Sequence, residues 1–295
     1  MSRKIKIITD TTADMQPDAA KAYDISIMPF TITFGNEIYK DGQNITVDEL
    51  YKKVEETGVY PKTAAINIQE YYDEFKPWLD RGYDIIYMTI SSKSSSAMNN
   101  AILAARQLGA EDRVHIIDSK HLAMSIADIL IQIGDDINAG YEIDEIIKRA
   151  EEKRDRMQTM FVISTLTFLN KGGRCSNMAA FFGKMLKFHP VVWMNDGAIE
   201  IYKIKAGKVT KAVDAMFEQL EKDIKEYYIP EVYVGDSRGD DLAEYLIEKL
   251  SKYFSADQIH RFKPKCVIAT HCGPGTVGLF YDRAMRRDDL KKNKA

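Results

Sequence analysis

Cysteine is scarce in this sequence, and its spacing indicates neither disulfides nor a metal site. Cys175, Cys266 and Cys272 are the three cysteines of 295 residues, and no two of them form a CxxC pair. An odd number at these spacings argues against a disulfide framework and against structural zinc, and it is typical of a reducing compartment. No other His, Cys and Asp spacing indicates a metal. We therefore expect no metal and a cytoplasmic location.

Long apolar runs and a strong charge imbalance are missing too. No stretch approaches the ~20 apolar residues that a transmembrane helix needs, and the first residues lack the apolar segment of a signal peptide. The 41 basic and 44 acidic side chains give a net charge of −3, so nothing indicates nucleic-acid binding. Hydrophobic residues at 45% and charged residues at 29% predict a soluble globular protein. The length suffices for two domains.

Two common enzyme motifs are absent. There is no G-x-x-x-x-G-K-[ST], which excludes a nucleotide-binding loop of the P-loop kind, and there is no G-x-S-x-G elbow. A Ser/His hydrolase or acyl-transfer enzyme acting on a small acyl substrate stays open as the alternative function. Ser95, His271 and Asp118 or Asp10 would be its residues, since triads are recognised by geometry rather than by sequence position.

Apolar runs alternate with amphipathic patterns in the first half of the chain. Runs at residues 5–8, 83–90 and 114–117 predict buried strands, each followed by a helical pattern. Such alternation predicts βαβ units and a mainly parallel sheet. Two alternating runs around Gly35-Asn36 predict a hairpin, and residues 60–63 are predicted to form a loop.

The pattern changes from about Thr159. The Asp196-Gly197 turn predicts a hairpin over residues 190–202, and a strand is predicted at residues 265–270. We predict an α/β fold of two domains, with the boundary in the charged run before Met160. The domains are residues 1–157 and residues 158–290.

Five serines follow the strand at residues 83–90, in the run Ser91-Ser92-Lys93-Ser94-Ser95-Ser96, and a helical pattern begins directly after them. First-turn amides have no intrahelical partner and the helix dipole favours negative charge, so this arrangement is typical of an anion site. One serine would be explained by capping alone, whereas five favour a ligand. Polar residues also end neighbouring strands at Asp10 and Asp118, and ligands of parallel sheets bind beyond those ends.

A second polar loop, His271-Cys272-Gly273-Pro274-Gly275, follows the strand predicted at residues 265–270. It can direct an imidazole and backbone N–H groups at a ligand, or it is a tight turn in which His271 is incidental. Gly172-Gly173-Arg174 similarly allows a close backbone approach with an arginine for a carboxylate or phosphate, or is only a loop. An unusually apolar helix is predicted after it, at residues 178–188.

Taken in order, these segments resemble the DegV family of bacterial fatty-acid-binding proteins, over nearly the whole chain. The matching segments are Ile8-Thr9-Asp10-Thr11-Thr12-Ala13-Asp14 (family I-T-D-S-T-A-D), Pro61-Lys62-Thr63 (the start of P-x-T-S-Q-P-S), Ile90-Ser91-Ser92-Lys93-Ser94-Ser95 (I-S-S-x-L-S-G-T), Asp118-Ser119 (D-S), Lys171-Gly172-Gly173-Arg174 (K-G-G-R) and His271-Cys272-Gly273-Pro274-Gly275 (H-x-G-P-G). Each match is weak alone, and six in the right order are strong.

The resemblance implies a two-domain α/β protein with a long-chain fatty acid in a tunnel between its domains. Such a protein needs no cofactor and is not itself an enzyme, because it presents the carboxylate to a separate fatty acid kinase that makes the acyl phosphate. By motif position, Thr63 and Ser95 would hydrogen-bond the carboxylate and His271 would lie beside it. Residues implied to be nearby or partner-facing are Arg174, Ser96, Gly273 and Lys205. Candidates for the tunnel wall are Phe181, Phe182, Met185 and Leu186.

The chain departs from the family pattern at three places. Ala64-Ala65-Ile66-Asn67 stands where S-Q-P-S is favoured, and Ser96-Ala97 stands where G-T is usual. Lys205 aligns with an arginine implicated in docking the kinase, and lysine keeps the charge but loses the bidentate fork.

The binding of a fatty acid would have two physical parts. Its carboxylate, if buried, must keep several hydrogen bonds or become protonated. The acyl chain would contribute about 0.8 kcal/mol per buried methylene.

Overall fold

A computed structural model of the chain describes residues 3–174 and 188–292. Within these ranges the chain divides into two compact units. The first unit contains residues 3–154 together with two short later segments, Asp196–Ala198 and Lys265–Val267, and the second contains the remainder. The four candidates for the tunnel wall lie outside the described residues. So does the apolar helix predicted at residues 178–188, except for Phe188, which begins a strand.

The elements of the described residues are numbered in chain order. The strands are β1 (Ile5–Asp10), β2 (Ser26–Met28), β3 (Thr31–Phe34), β4 (Glu37–Lys40), β5 (Lys62–Ala64), β6 (Asp84–Thr89), β7 (Val114–Asp118), β8 (Met157–Val162), β9 (Phe188–Asn195), β10 (Ala198–Ala206), β11 (Tyr227–Tyr228), β12 (Val232–Ser237), β13 (Ile259–Phe262), β14 (Thr276–Asp282) and β15 (Met285–Arg286). The helices are α1 (Pro17–Ala22), α2 (Val47–Thr57), α3 (Ile68–Asp80), α4 (Ala97–Gln107), α5 (Met124–Asn138), α6 (Ile143–Arg156), α7 (Thr167–Lys171), α8 (Thr210–Glu226), α9 (Asp240–Leu250), α10 (Cys266–Cys272) and α11 (Arg287–Lys292). In the described part of the chain, no helix combines the length and apolarity needed to cross a membrane.

The first unit is built on a four-stranded parallel sheet with the order β2-β1-β6-β7. Every residue of β1 and β6 after the first is buried, because the strands of a parallel sheet are covered on both faces. The apolar stripe of α5 contributes Ile126, Ile129 and Ile133, all fully buried, and each such side chain stabilises the fold by about 1.5–3 kcal/mol. The predicted βαβ arrangement is confirmed here.

A small antiparallel sheet with the order β4-β3-β5 completes this unit. The hairpin predicted around Gly35-Asn36 is confirmed as β3 and β4. The loop predicted at residues 60–63 is wrong at its end, because Thr63 is the middle residue of β5 and pairs with Ile32. The sequence Lys-Thr-Ala carries no apolar alternation, so the pairing of its backbone with β3 is what defines this strand.

The second unit contains a six-stranded mixed sheet with the order β10-β9-β8-β14-β12-β13. The β8–β9, β8–β14 and β12–β14 pairs are antiparallel, and β12–β13 is parallel. The central strand β8 is buried on both faces: Met160 and Val162 join a core with residues of α8 and α9, whereas Phe161 joins a second cluster with Leu166 and Leu169. The second cluster fixes α7 against the sheet. The hairpin predicted over residues 190–202 is confirmed as β9 and β10.

The strand predicted at residues 265–270 is wrong, because this segment is the helix α10. Its first amides are bound by two buried carboxylates of the first unit. The Lys265 amide donates to Asp14 (2.7 Å), and the amides of Cys266 and Val267 donate to Asp41 (2.9 and 3.3 Å). Carboxylates at a helix start satisfy amides that have no intrahelical partner and complement the dipole. Strands β13 and β14 were not predicted.

Candidate functional site

The serine loop, residues 91–96, connects β6 to α4, and its serines have different roles. Ser92 donates from its amide and its hydroxyl to the Asp118 carboxylate (3.1 and 2.5 Å). Asp118 ends β7, and its register partner on β6 is Thr89. The polar ends of these two neighbouring strands therefore meet, as the parallel sheet predicts. Ser92 holds the loop rather than a ligand, since its hydroxyl is already bonded.

Ser95 lies directly before the N-cap position of α4 and binds its first amide. Its Oγ accepts a hydrogen bond from the Ala97 amide at 3.2 Å, and the residue is partly exposed. Within the described residues, the Ser95 hydroxyl donates no hydrogen bond. Ser96 occupies the N-cap position but is exposed and makes no side-chain cap bond. Its φ of −80° also shows that the glycine usual at this position is not required by the backbone.

Asp10 belongs to an internal network and not to an open site. Its carboxylate accepts hydrogen bonds from the Thr12 amide (2.9 Å), from the Thr12 hydroxyl and from Tyr87 (2.9 Å), and Tyr87 is bonded in turn to Tyr71. Burial raises the pKa of Asp10, although these hydrogen bonds oppose the rise. Asp118 is likewise occupied by Ser92 and by the Lys120 amide. The carboxylates that a Ser-His-Asp triad would need are thus already used.

Thr63 lies on the edge strand β5 and is partly exposed. The residues after it explain one departure from the family pattern. Asn67 accepts from the Glu70 amide at 2.9 Å and caps α3 within a capping box. Serine, which the family favours at this position, is an equally good N-cap residue. The Ile66 carbonyl accepts from the Asn100 side chain of α4 at 2.8 Å. The segment after Thr63 is therefore bonded to α4, the helix whose first amide donates to Ser95.

In the second unit, His271 lies in the last turn of α10 and not at a strand end. Its ring lies against Gly172, where an added Cβ would be 2.2 Å from Nδ1. Burial of the ring, and to a lesser degree the positive charge of Arg174, lower the pKa of His271 to about 3. The imidazole is therefore neutral near pH 7, and it can act as a hydrogen-bonding group but not as a cation.

The glycine loop, residues 271–275, packs closely on residues 164–172. A Cβ on Gly273 would be 2.7 Å from the Phe168 ring. The Gly275 carbonyl accepts from Ser164 at 2.6 Å. Arg174 donates from Nη1 to the Gly172 carbonyl at 2.8 Å. Two motifs that are about 100 residues apart in the sequence are thus parts of one structure, and the glycines are needed for close approach.

The candidate residues divide between the two units. Thr63, Ser95 and Ser96 belong to the first, while Arg174, Lys205, Gly273 and His271 belong to the second. Lys205 is partly exposed on β10, the edge strand of the six-stranded sheet. Among the described residues, no group of three or more His, Cys, Asp and Glu side chains is arranged to hold a metal ion.

Comparison with known proteins identifies relatives along the whole chain. A family model described as an uncharacterised protein of the DegV family matches residues 4–284. A DegV domain-containing protein of Clostridium perfringens is 32% identical over 281 residues, which cover 94% of this chain and 98% of the relative. A fatty acid-binding protein of Thermotoga maritima is 28% identical, with coverage of 94% and 96%. The crystal structure of a DegV lipid binding protein of Thermotoga maritima is 26% identical, with a TM-score of 0.83 and coverage of 96% and 100%.

Proposed function

This chain belongs to the DegV family, and we propose that it binds a long-chain fatty acid and presents the carboxylate to a separate fatty acid kinase. The lipid part of the proposal is supported by two relatives from Thermotoga maritima, one named a fatty acid-binding protein and one a lipid binding protein. The carboxylate part is supported by the serine loop. The kinase part is carried over from the family.

The main support for the proposal is the Ser95 hydroxyl, which lies at the start of α4 and can donate a hydrogen bond to a ligand. Its oxygen accepts from the Ala97 amide, which fixes the hydroxyl at the first turn of α4. Because it donates to no acceptor within residues 3–174 and 188–292, its proton can be donated to a ligand. An anion is favoured at this position because the first-turn amides and the helix dipole are positive. A hydrogen bond from a hydroxyl to a carboxylate is charge-assisted and roughly twice as strong as a neutral one. A fatty acid brings such a carboxylate.

The neutral His271 favours a carrier over a hydrolase. A general base works best when its pKa lies near the working pH, and the pKa of His271 is lowered to about 3. A neutral ring can still donate one N–H to a carboxylate or accept from a protonated one. We therefore assign His271 a hydrogen-bonding role beside the head group, together with Thr63, and no catalytic role.

The chemistry assigned to the partner is a phosphoryl transfer. A carboxylate oxygen of the bound fatty acid attacks the γ-phosphorus of ATP, the bond from that phosphorus to the ADP oxygen breaks, and acyl phosphate and ADP result. The kinase supplies the ATP site, and this chain supplies a carboxylate with one oxygen accessible. Lys205 is the residue we assign to the docking surface, where its charge can attract an acidic partner.

Native mass spectrometry of the purified protein tests the lipid part. We expect an added mass equal to one long-chain fatty acid, released on denaturation. A protein that carries no lipid, fails to take up oleate and turns over acyl esters would contradict the proposal and support the hydrolase.

Acyl phosphate formation tests the kinase part. Loaded protein, ATP and a fatty acid kinase catalytic subunit should give an acyl hydroxamate when hydroxylamine is added, and omission of either protein should abolish it. Lys205→Ala should lower the rate, while Lys203→Ala, on the same strand and paired with Glu218, is the control. Equal rates for the two variants would remove Lys205 from the docking surface.

A further inference from the structure

Ser91 is the most constrained residue of the serine loop. It is fully buried, and its backbone and side chain make four hydrogen bonds. Its amide donates to the His121 carbonyl (2.9 Å) and its carbonyl accepts from the Ser94 amide (2.9 Å). Its hydroxyl accepts from the Lys93 amide (3.3 Å) and donates to the Gly197 carbonyl (2.7 Å). The loop thus folds around Ser91. The bond from the Ser94 amide to the Ser91 carbonyl fixes the residue that directly precedes Ser95.

Gly197 is the turn residue of the β9–β10 hairpin, and its lack of a side chain allows the contact. Its φ is +81°, in the left-handed region that glycine adopts at no steric cost. A Cβ at this position would be 2.8 Å from the Ser91 hydroxyl oxygen and 3.7 Å from Lys120 Cα. A side chain at this position would therefore either displace the Ser91 hydroxyl or push the hairpin tip away from the serine loop.

Two lysines hold the same tip at its surface. Asp196 accepts from Lys120 (2.7 Å) and from Lys93 (3.2 Å), and these lysines lower its pKa. The Asp196 side chain is 67% exposed, and exposed ion pairs contribute little to stability. The buried bond from Ser91 to Gly197 is consequently the stronger constraint, and the lysines add orientation.

We infer that Ser91 and the hairpin tip Asp196-Gly197 position Ser95 for the carboxylate of the ligand. This inference rests on the proposed function and deepens it, since it names residues that act on the head group through Ser95 and without touching it. Because the hairpin belongs to the chain after residue 188, the shape of the serine loop depends on a segment about 100 residues downstream. Ser91 is a positioning residue in this account.

Isothermal titration of delipidated protein with oleate and with oleyl alcohol tests the inference. Ser91→Ala should bind oleate about tenfold more weakly, the effect of losing one well-placed hydrogen bond to a charged group, and should bind the alcohol with less than a threefold change. In the double variant Ser91→Ala/Ser95→Ala, oleate should bind no more weakly than to Ser95→Ala alone. This non-additivity is the signature of a residue that acts through Ser95.

Matched controls separate positioning from loss of fold. Ser125→Ala removes another fully buried hydroxyl of the same unit and should leave the preference for oleate over the alcohol unchanged. Gly197→Ala should reproduce the Ser91→Ala result, whereas Gly82→Ala should not, since Gly82 has a similar φ of +85° and no atom within 4 Å. If Ser91→Ala does not fold, the binding of oleate and oleyl alcohol to Gly197→Ala tests the inference instead.

Three outcomes would overturn the inference. They are an equal loss for oleate and the alcohol in Ser91→Ala, no loss for either, or fully additive losses in the double variant. If the wild-type protein binds no oleate, the proposed function itself fails and the inference fails with it. If the wild type binds oleate and Ser91→Ala matches it, only the inference fails.

Discussion

The serine loop and the glycine loop are held in place by different forces. In the serine loop, the constraints are hydrogen bonds from Ser91 and Ser92 to Gly197 and Asp118. In the glycine loop, they are close contacts in which His271 and Phe168 occupy the space that side chains on Gly172 and Gly273 would need. A hydrogen-bonded loop loses its constraints one at a time, whereas a close-packed loop cannot accept one extra methyl group. The two loops should therefore respond differently to substitution.

The largest effect is expected for Gly172→Ala. The new Cβ would be 2.2 Å from Nδ1 of His271, so the ring would have to leave its position, and overpacking of this kind costs about 3 kcal/mol at the upper end of its usual range. Urea denaturation measures this loss. Gly173→Ala is the control, because that position has no atom of the described residues within 4 Å and a φ of +72°, so that only about 1–2 kcal/mol of backbone strain is expected. Equal losses would contradict the packing account.

The next effect concerns pH and His271. The pKa of His271 is about 3 in the folded protein and about 6.5 when unfolded. Between these values the unfolded state binds more protons, so the free energy of unfolding falls as pH decreases through this window. One group that binds up to one more proton in the unfolded state gives a slope of about 1 kcal/mol per pH unit.

The comparison that isolates this effect is the wild type against His271→Asn, by denaturation at several pH values from 7 to 4.5. Other titrating groups contribute equally to both proteins. The wild type should lose stability more steeply than the variant. Parallel curves would show that His271 is not buried as a neutral ring.

A smaller effect is expected in the serine loop for Asp118→Asn. The substitution replaces one of the two Asp118 carboxylate oxygens, which accept hydrogen bonds from Ser92 and Lys120, with an NH₂ donor. The loss of such a bond costs about 1 kcal/mol. Amide hydrogen exchange should become faster at Ser92 and Lys120, with the glycine loop unchanged. Asp112→Asn, at an exposed position, should alter neither. Faster exchange in both loops would show that they are not held independently.

The smallest effect is expected for Ser96→Gly. Ser96 is exposed, makes no side-chain cap bond and has a φ of −80°, and replacing an N-cap serine with glycine costs only a few tenths of a kcal/mol (about 0.3). Thermal unfolding and oleate affinity should both be close to wild type. A large change in affinity would mean that Ser96 contacts the ligand.

The sequence predicts the parallel sheet well because β1, β6 and β7 contain runs of apolar residues and the helices after them have clear periodicity. It fails at α10. The run Cys266-Val267-Ile268-Ala269 is equally suitable for a strand or a helix, and the helix is selected by Asp14 and Asp41, which bind its first amides. Those carboxylates are more than 200 residues away along the chain, so no local pattern reveals the choice.

The candidate site likewise combines a feature that the local sequence predicts with contacts that it does not predict. Ser95 is at a helix start, and the serine run and the strand before it predict that directly. The contact of His271 with Gly172 and the contact of Ser91 with Gly197 join segments far apart in the sequence. Glycine in a turn motif indicates flexibility of the backbone, but which side chain fills the space beside it depends on tertiary packing.

Carbon-13 NMR of oleate labelled at its carboxyl carbon can detect the proposed hydrogen bond from the Ser95 hydroxyl to the carboxylate of a bound fatty acid. Hydrogen bonds to the charged form lower the pKa of a carboxyl group. We expect a bound carboxylate that stays ionised as pH falls from 8 to 6, and a higher carboxyl pKa with a changed chemical shift in Ser95→Ala. Identical carboxyl shifts and titrations in the wild type and in Ser95→Ala would show that Ser95 does not bind the carboxylate.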